Sequence, residues 1–389
     1  MVLLMRFLPL PAKGFAMTER IEVVYHIRSD ARYIEARARS VAVEQSVEMP
    51  VEAIRDCYVL EDILGEVRSI QDLGNGLFEA RIGLSAESTG AEPGQLMNML
   101  FGNTSLQTDV QLMDADLPSS LLQAFGGPSQ GLDGWTARLN GERRPLTCSN
   151  LKPQGLSCEG LAALAEKLAL GGLDLIKDDH GLADQSYSPF VLRVPAIATA
   201  VQRASERTGV HTRYLPNVTG SLDQLRRQLD QVRKLGLDGV LILPMVVGLP
   251  AFHQARREYP DIAFMAHPAL AGTLRIALPF LVGCIFRLLG ADALVFPGYG
   301  GRFGSSREEC RRLIDHARGA WGDLKPALPI PAGGMTPERV TELKAFYGPD
   351  SALFLGGSLL AAADRLTEQT AAFVEAVRRP FEYGLSAAS

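Results

Sequence analysis

The sequence predicts an α/β protein in which a small N-terminal α+β domain of the ferredoxin-like type precedes a C-terminal (β/α)8 TIM barrel. Two observations carry this prediction. From residue 146 onward, short apolar runs alternate with amphipathic segments of helical length, and eight such units fit into about 235 residues, the usual size of a barrel. Before residue 144, strand-like and helix-like segments do not alternate strictly, which is typical of an α+β domain.

The N-terminal part of the chain predicts mixed secondary structure. β-Branched and aromatic runs predict strands at 21–27, 65–72 and 77–83, and helical spacing predicts helices at 30–45 and 94–101. Residues 1–16 are apolar but contain two prolines and no clear basic segment, so they do not resemble a secretory signal and we expect a disordered extension. The predicted domains are therefore the α+β domain at 17–144 and the barrel at 145–389.

Eight strands are predicted in the second domain, at 146–152, 173–177, 212–218, 239–243, 262–267, 293–296, 328–331 and 352–355. Helical segments separate them, for example 157–170, 195–207, 221–235, 305–318 and 337–346. A doubly wound open sheet is the alternative. That fold needs fewer units and often carries a GxGxxG motif near its first strand, which this sequence lacks.

Composition argues against two classes of partner. A net charge of −5 does not provide the basic surface that nucleic acids require. Hydrophobic residues make up 47% of the chain, as in soluble proteins, and the apolar stretch 277–289 is short and interrupted by Arg287, so it predicts a buried helix and not a membrane span. Five widely spaced cysteines without a CxxC pair predict reduced thiols in a cytoplasmic protein.

Glycine pairs follow the last two predicted strands of the barrel, at 333–334 and 356–357. Barrel enzymes carry their chemistry at the carboxyl ends of the strands, and a phosphate site is commonly built there after the seventh and eighth strands. Glycine lets backbone N–H groups approach phosphate oxygens closely. The pairs therefore predict a phosphate site, with simple tight turns as the alternative.

The second predicted strand ends in the charged sequence KDDH, residues 177–180. Strand alternation puts Lys177 and Asp179 on one side, and Asp178 and His180 on the other. Lys177 is either an ion-pair partner or an amine that adds CO2, and the resulting carbamate would hold Mg2+ together with Asp179. Lys152, at the end of the neighbouring first strand, is either a proton-transfer base or a clamp for phosphate or carboxylate.

Several of these segments resemble motifs of the RuBisCO superfamily. KPQ at 152–154, KDDH at 177–180 and AGG at 332–334 are similar to that family's KPK, KDDE and SGG. Upstream, AVEQS at 42–46 and GNTS at 102–105 resemble its N-terminal segments. The resemblance extends from about residue 20 to residue 380 in the family's order, so the chain is identified as a RuBisCO-like protein of the form IV large-chain family.

The resemblance implies a role for each matching residue. Lys152 matches the catalytic lysine, and Lys177 matches the lysine whose carbamate holds one Mg2+ per subunit together with Asp179. His180 replaces a glutamate ligand, so it is expected to bind the ion or to act as an acid–base group. His267 matches an active-site histidine.

The resemblance also implies substrate and partner contacts. The backbone that matches the phosphate site comprises Gly333, Gly334, Gly356 and Gly357. Glu44 and Asn103 match N-terminal residues that in this family complete the active site of the partner subunit. A homodimer with the active site at the subunit interface is therefore implied.

Some positions depart from the family pattern. Gln154 replaces the second lysine of KPK, and Pro268 replaces an arginine that would hold a second phosphate. The loop 297–306 lacks the lysine that carboxylation requires; Arg302 lies in this loop and is expected to reach the substrate, but arginine and lysine are not interchangeable there. One phosphate site remains, which predicts a monophosphate substrate, and the missing loop lysine predicts no CO2 fixation.

We therefore expect a non-carboxylating enzyme that enolises or isomerises a ketose monophosphate through an enediolate, with 5-methylthioribulose 1-phosphate or a related methionine-salvage intermediate as substrate. Three alternatives stay open. One is a decarboxylase or C–C hydrolase of a 3-oxo sugar-acid phosphate, as in apiose catabolism. Another is an aldolase with Lys152 or Lys177 as Schiff base, and the last is a non-catalytic phosphate-ligand-binding protein. His211, His253 and His316 are expected to be structural.

Overall fold

Two units make up the described part of the computed structural model, which covers residues 19–139 and 141–380. The first unit contains residues 19–91, 95–110 and 115–118, and the second contains 92–94, 111–114 and the chain from 119 onward. The predicted extension at 1–16 lies outside the described residues. The domain limits 17–144 and 145–389 stay a prediction.

The secondary-structure elements follow the predicted order closely. The strands are β1 Arg20–Arg28, β2 Glu66–Gly74, β3 Leu77–Ser85, β4 Val110–Asp116, β5 Leu146–Leu151, β6 Leu175–Asp178, β7 Arg213–Leu215, β8 Asn217–Val218, β9 Gly239–Ile242, β10 Ala263–Ala266, β11 Ala293–Pro297, β12 Leu328–Ala332 and β13 Ala352–Phe354. The α-helices are α1 Ile34–Glu44, α2 Pro93–Phe101, α3 Ser119–Phe125, α4 Gly131–Thr136, α5 Cys158–Leu170, α6 Phe190–Thr208, α7 Leu222–Lys234, α8 Pro244–Val247, α9 Leu249–Glu258, α10 Arg307–Arg318, α11 Val340–Tyr347, α12 Gly357–Leu360 and α13 Leu366–Arg378. Two segments are π-helical, Val59–Ile63 and Pro279–Phe286.

An antiparallel sheet forms the centre of the first unit, with β3 between β1 and β2. Strand β1 alternates as a half-buried strand should, and its inward residues Ile21, Val23, Tyr25 and Ile27 are fully buried. Helix α1 packs its apolar face inward. The sequence prediction missed β4, because only two of its residues supply the buried apolar alternation before Asp114 and Asp116 end the pattern.

Eight parallel strand positions, β5 to β13, form the barrel of the second unit, and β13 pairs with β5. The third position is divided into β7 and β8 at Pro216, since proline donates no hydrogen bond to the ladder. Each predicted strand is present, with ends shifted by no more than two residues apart from this division. The (β/α)8 prediction is therefore confirmed.

Inward-facing residues of the strands fill the barrel interior with a packed core. This cluster joins residues from all eight strand positions and includes Cys148, Leu175, Leu215, Leu241, Met265, Val295, Ile330 and Phe354. Trp135 closes one side of it and donates from its indole nitrogen to the carbonyl of Asp292, 3.0 Å away. Chemistry in such a barrel is confined to the rim, where the strands end.

The barrel helices begin largely where their capping residues predict. Ser157, Ser221 and Ser306 each accept a hydrogen bond from a backbone amide in the first turn of α5, α7 and α10. Two helix starts differ from prediction. Helix α6 begins at Phe190, before the predicted 195, and includes Pro195 in its interior. Helix α11 begins at Val340, after the predicted 337, because a 3-10 turn occupies Pro337–Arg339.

The apolar stretch 277–289 lies buried, as predicted, but its centre is a π-helix. Arg287, which interrupts the apolar run, is 1% exposed and donates to four backbone carbonyls. None of the helices in the described ranges is long and apolar enough to cross a membrane.

Candidate active site at the carboxyl ends of the barrel strands

Lys177 ends the inward face of β6 and is 2% exposed. Its Nζ donates to the carbonyl of Asp178 at 3.0 Å and lies 5.4 Å from the ring centre of Phe354. Burial lowers the pKa of this amine, because a charged ammonium loses its hydration there. A neutral amine is the form that can react with CO2.

Asp179 is the anion around which the site is arranged. Its Oδ2 accepts from Lys152 Nζ at 2.8 Å and from Asn150 Nδ2 at 3.1 Å. Its Oδ1 accepts from the Gly181 amide at 3.1 Å and lies 3.6 Å from Nδ1 of His180. Burial alone would raise the pKa of this carboxyl, but the His180 and Lys152 contacts hold it well below its usual range.

Lys152 lies just beyond β5, and its side chain is 38% exposed. It can therefore reach both solvent and Asp179. Two residues earlier, Asn150 faces the same interior and is paired in register with Lys177. Asn150 is 3% exposed, and its buried Oδ1 has no hydrogen-bond partner among the described residues.

His180 and His267 come together as a stacked pair, with ring centres 4.4 Å apart and planes inclined by 7°. Burial, followed by the charges of Lys177 and His180, lowers the pKa of His267 to about 2. The Nδ1 of His267 accepts from the Ala269 amide at 3.2 Å. The side-chain Nδ2 of Asn217 donates to the carbonyls of His180 and Leu182, at 3.3 and 2.6 Å, and so fixes the loop that carries His180.

The alternation argument was right for Asp178 and wrong for His180. Strand β6 ends at Asp178, so His180 lies in a loop and turns back toward Asp179. Asp178 points away from that site. Its carboxylate accepts from the Tyr214 hydroxyl at 2.8 Å and lies 3.3 Å from Arg193 Nη2, with both charged side chains fully buried.

The two glycine pairs lie beside each other and beside Asn150. Gly333 and Gly334 have φ angles of +90° and +97°, which favour glycine. Ser358, which follows Gly357, donates to the carbonyl of Met335 at 2.7 Å and so joins the two loops. A Cβ on Gly356 would lie 3.0 Å from Oδ1 of Asn150, so this backbone borders the lysine–aspartate cluster.

Two further contacts involve residues that replace family positions. The amide of Arg302 donates to the Gly333 carbonyl at 2.9 Å, while its exposed guanidinium lies 4.8 Å from the ring centre of Phe303. Arg302 thus reaches the glycine loop through its backbone. Gln154 lies against Gly181, where a Cβ would fall 1.6 Å from its Nε2.

Comparison with known proteins decides the family. The model of the ribulose bisphosphate carboxylase large chain, catalytic domain, matches residues 131–381. This chain belongs to that family. The 5-methylthioribulose-1-phosphate isomerase of Rhodospirillum rubrum is 54% identical to this RuBisCO-like chain over 362 residues, covering 93% of the chain and 97% of that protein.

Solved structures give the same result for the RuBisCO-like fold. A Rubisco-like protein from Rhodopseudomonas palustris is 49% identical, with a TM-score of 0.87, and the match covers 94% of this chain and 99% of that one. A rubisco-like protein (MtnW) from Alicyclobacillus acidocaldarius is 29% identical, with a TM-score of 0.83, covering 92% and 93%. The predictions of the RuBisCO-like family and fold are confirmed.

Glu44 and Asn103 lie in the first unit of this RuBisCO-like chain, where Asn103 Nδ2 donates to Glu44 Oε1 at 3.1 Å. Glu44 also lines a groove of about 1200 Å³ together with Met49 and Pro50. Met49 is 42% exposed, so an apolar side chain stands at this groove.

Sequence reasoning singled out the lysines, Asp179, the two histidines and the glycine pairs of the site, but not Asn150. The spacing of two between Asn150 and Lys152 indicated that both lie on the same face. Asp178 has two partners, Arg193 and Tyr214. Neither carried a recognisable signal in the sequence, because they come from a helix and a strand that are distant from Asp178 along the chain.

Proposed function

We propose that this chain is a metal-dependent isomerase that acts on 5-methylthioribulose 1-phosphate and does not carboxylate. The observation that carries the proposal is the 54% identity to the protein of that name over 97% of its length. The side chains at the rim support it, because Lys152 pairs with Asp179, the charge of Lys177 acts on both, and Asn150 of the same cluster borders Gly356.

The substrate phosphate is assigned to the loops at Gly333–Gly334 and Gly356–Gly357. Among the described residues, the amides of these four glycines are not used in turn hydrogen bonds, so they are available to an anion. The link from Ser358 to Met335 holds both loops in one place. A phosphate bound there lies at the edge of the Asn150–Asp179 cluster.

The residues present fit a divalent ion of the Mg2+ type. Lys177 is a buried amine suited to carbamylation, Asp179 is held ionised, and the unpartnered Oδ1 of Asn150 is a further oxygen donor. We assign one ion per subunit to the Lys177 carbamate and Asp179. A bound Mg2+ supplies Lewis-acid polarisation of the substrate oxygens. His180, a nitrogen donor, suits such an ion poorly and is assigned to acid–base work.

Proton transfer is assigned to three side chains. Lys152 is partly exposed and can exchange protons with solvent while it faces the reacting carbon. His267 accepts a backbone N–H at Nδ1, so the proton of its neutral ring is assigned to Nε2, which donates to the oxygen where charge develops. His180 stacks on His267, keeps that ring in position and is assigned the acid–base step that Lys152 does not perform.

The proposal that this chain does not carboxylate rests on Pro268 and on the loop 297–306. Pro268 follows His267 where the family has an arginine, and it offers no positive charge to a second phosphate. Arg302 holds the loop by its amide, and its guanidinium lies at the exposed Phe303 ring. No lysine stands in loop 297–306 to stabilise a carboxylated product.

A homodimer is part of the proposal. Glu44 and Asn103 are joined by a hydrogen bond and border an open groove with the exposed Met49. In the family resemblance these two residues act on the partner subunit's substrate. We therefore assign the groove to a second copy of the chain, and sedimentation equilibrium of the purified protein tests this assignment.

The activity is tested with purified protein, Mg2+ and bicarbonate, with 5-methylthioribulose 1-phosphate as substrate in D2O and with conversion followed by NMR. The expected result is an isomer of the same mass apart from solvent deuterium. Lys177→Met should reduce turnover by at least about 1000-fold, since the ion and its charge stabilisation are lost. Lys344→Met is the matched control, because Lys344 is also buried but donates to backbone carbonyls in α13 and after it.

Three other outcomes would contradict the proposal in different ways. Release of CO2 from a 3-oxo sugar-acid phosphate, without isomerisation, would favour the decarboxylase. Conversion of a 2,3-diketo-5-methylthiopentyl 1-phosphate only would favour the enolase activity named for relatives 27–33% identical. Tight binding of the sugar phosphate with no turnover of any of these compounds would favour a non-catalytic protein.

A further inference from the structure

Three metal-ligating side chains from three separate segments meet outside the barrel. They are Asp114, Cys284 on the π-helix, and His316 in the last turn of α10. The Nε2 of His316 lies 3.2 Å from Oδ2 of Asp114, and one ligand atom of each residue lies within 4.8 Å of the other two. With only six histidines and five cysteines in 389 residues, abundance does not explain this meeting.

We propose that Asp114, Cys284 and His316 form a second metal site, for a divalent ion of the zinc type. Zinc takes sulfur, nitrogen and oxygen donors in a tetrahedral shell at about 2.0–2.3 Å, which sets its donors roughly 3.3–3.8 Å apart. With ligand atoms at most 4.8 Å apart, the cluster therefore needs to contract by no more than about 1.5 Å. Mg2+ requires oxygen ligands and does not suit a thiol, so this site and the rim site select different ions.

The backbone around the cluster is built to hold these side chains together. A Cβ on Gly283 would lie 2.7 Å from the Cβ of His316, so glycine permits the close approach of α10 to the π-helix. Arg287 donates from Nη1 to the carbonyls of His316 and Gly319, at 2.7 and 2.9 Å, which fixes the end of α10. His316 is thereby anchored beside Cys284 by the backbone.

The third ligand is anchored independently. Within the second unit, Leu112 donates to the Arg275 carbonyl at 3.0 Å and accepts from the Ala277 amide at 2.8 Å. These bonds fasten residues 111–114 to the chain just before the π-helix. Asp114 follows two residues later, so its position relative to Cys284 is set by the backbone and not by the ion.

Exposure and charge are suitable for a site that an ion can enter. Cys284 is 4% exposed, while the side chains of His316 and Asp114 are 26% and 31% exposed, so the ion can reach a thiol that solvent barely touches. The positive charge of Arg312 acts on Cys284 and disfavours a cation at this site. Burial raises the pKa of the Cys284 thiol, so an ion that binds there displaces its proton, and thiolate and carboxylate then supply two negative charges. Cys284 lies on a π-helical segment, and such segments are frequent at functional sites.

The site is tested by titrating the chelator-stripped, full-length protein with Co2+ as a spectroscopic substitute for zinc. We expect one equivalent to produce a thiolate-to-metal charge-transfer band in the near ultraviolet, together with the strong visible bands of tetrahedral Co2+. Equimolar Zn2+ should remove both bands, and millimolar Mg2+ should remove neither. Zinc content by mass spectrometry should be one per chain after dialysis.

Variants locate the ion. Cys284→Ser and His316→Gln should each weaken Zn2+ binding by at least about 100-fold, and Cys284→Ser should abolish the near-ultraviolet band. Cys310→Ser is the matched control, because Cys310 is buried on α10 but bonds to the Pro297 carbonyl at 3.5 Å and not to the cluster. Circular dichroism confirms that each variant is folded.

Two results would overturn the proposal. One is a wild-type protein that gives no thiolate band and retains no zinc at micromolar concentration. The other is equal zinc affinity of the wild type and both ligand variants, since the ion would then lie elsewhere. Binding that disappears in Lys177→Met but survives in His316→Gln would assign it to the rim site and equally exclude the second site.

Discussion

Arg193 and Asp178 form an ion pair with no solvent exposure directly behind the candidate active site, and Arg193→Met tests how much this pair supports. Asp178 stands between Lys177 and Asp179 in sequence, and its carboxylate also accepts from the Asn217 amide at 3.0 Å. Removal of Arg193 leaves that carboxylate buried without a counter-charge. It also deletes the bond from Arg193 to the Ser188 carbonyl, at 2.7 Å.

The expected cost of this change is about 3–5 kcal/mol of the free energy of unfolding, the typical result of removing one partner of a buried pair. At about 2–4 °C per kcal/mol for a large domain, the melting temperature should fall by roughly 6–20 °C. Arg203→Met is the control on the same helix. Arg203 is 60% exposed and lies 3.5 Å from Glu166, so less than about 1 kcal/mol is expected there.

The assay is differential scanning calorimetry of wild type, both single variants and the double variant Asp178→Asn/Arg193→Met. The double variant should be more stable than Arg193→Met, because neutralising the carboxylate removes the uncompensated charge. A melting temperature of Arg193→Met within about 2 °C of the wild type would refute the reasoning. A double variant less stable than Arg193→Met would refute it as well.

Three further predictions concern the site and the surface. Gly356→Ala should raise the KM for the sugar phosphate by about ten-fold, since its Cβ would meet Asn150 Oδ1 at 3.0 Å. A Cβ on Gly160 in α5 would make no contact shorter than 3.6 Å, so Gly160→Ala should change KM little, and steady-state kinetics measure both. Chelation should abolish turnover and added Mg2+ should restore it, whereas recovery of full activity in the chelator would favour a Schiff-base aldolase. Arg226 lowers the pKa of Glu258 from 4.5 to about 2, so the stabilisation by Glu258 is complete above pH 4.5 and is lost as pH falls toward 2. The difference in melting temperature between wild type and Glu258→Gln should therefore shrink from pH 7 to pH 3. A difference that stays constant over this range would contradict the assignment.

The barrel could be predicted from sequence because its strands are buried on both faces. Such strands are short continuous apolar runs bounded by turn residues, and their positions are visible without knowledge of the tertiary fold. The π-helix at Pro279–Phe286 could not be predicted in the same way. Its apolar sequence is equally compatible with an α-helix, and the choice depends on packing against α10, in particular at Gly283 and His316.

The candidate site was likewise predictable only in part. Motif order brought Lys152, Lys177 and Asp179 to neighbouring strand ends, and the structure brings Lys152 into contact with Asp179 and Lys177 within electrostatic range of both. Their catalytic roles stay predictions. Long-range contacts were not visible in the sequence: Asn150 was not singled out and His316 was expected to be structural, because their partners are 29 and 202 residues away. The predicted homodimer and cytoplasmic location also stay predictions.

The contact of Gln154 with Gly181 makes the two positions interdependent. A side chain at 181 would displace the amide end of Gln154, which lies against the glycine whose backbone N–H holds Asp179. A lysine at 154, as in the KPK motif, is longer than glutamine, so glycine at 181 accommodates it best. Among natural relatives we expect bulkier residues at 181 only where 154 is small, and efforts to redesign this pocket should change the two positions as a pair.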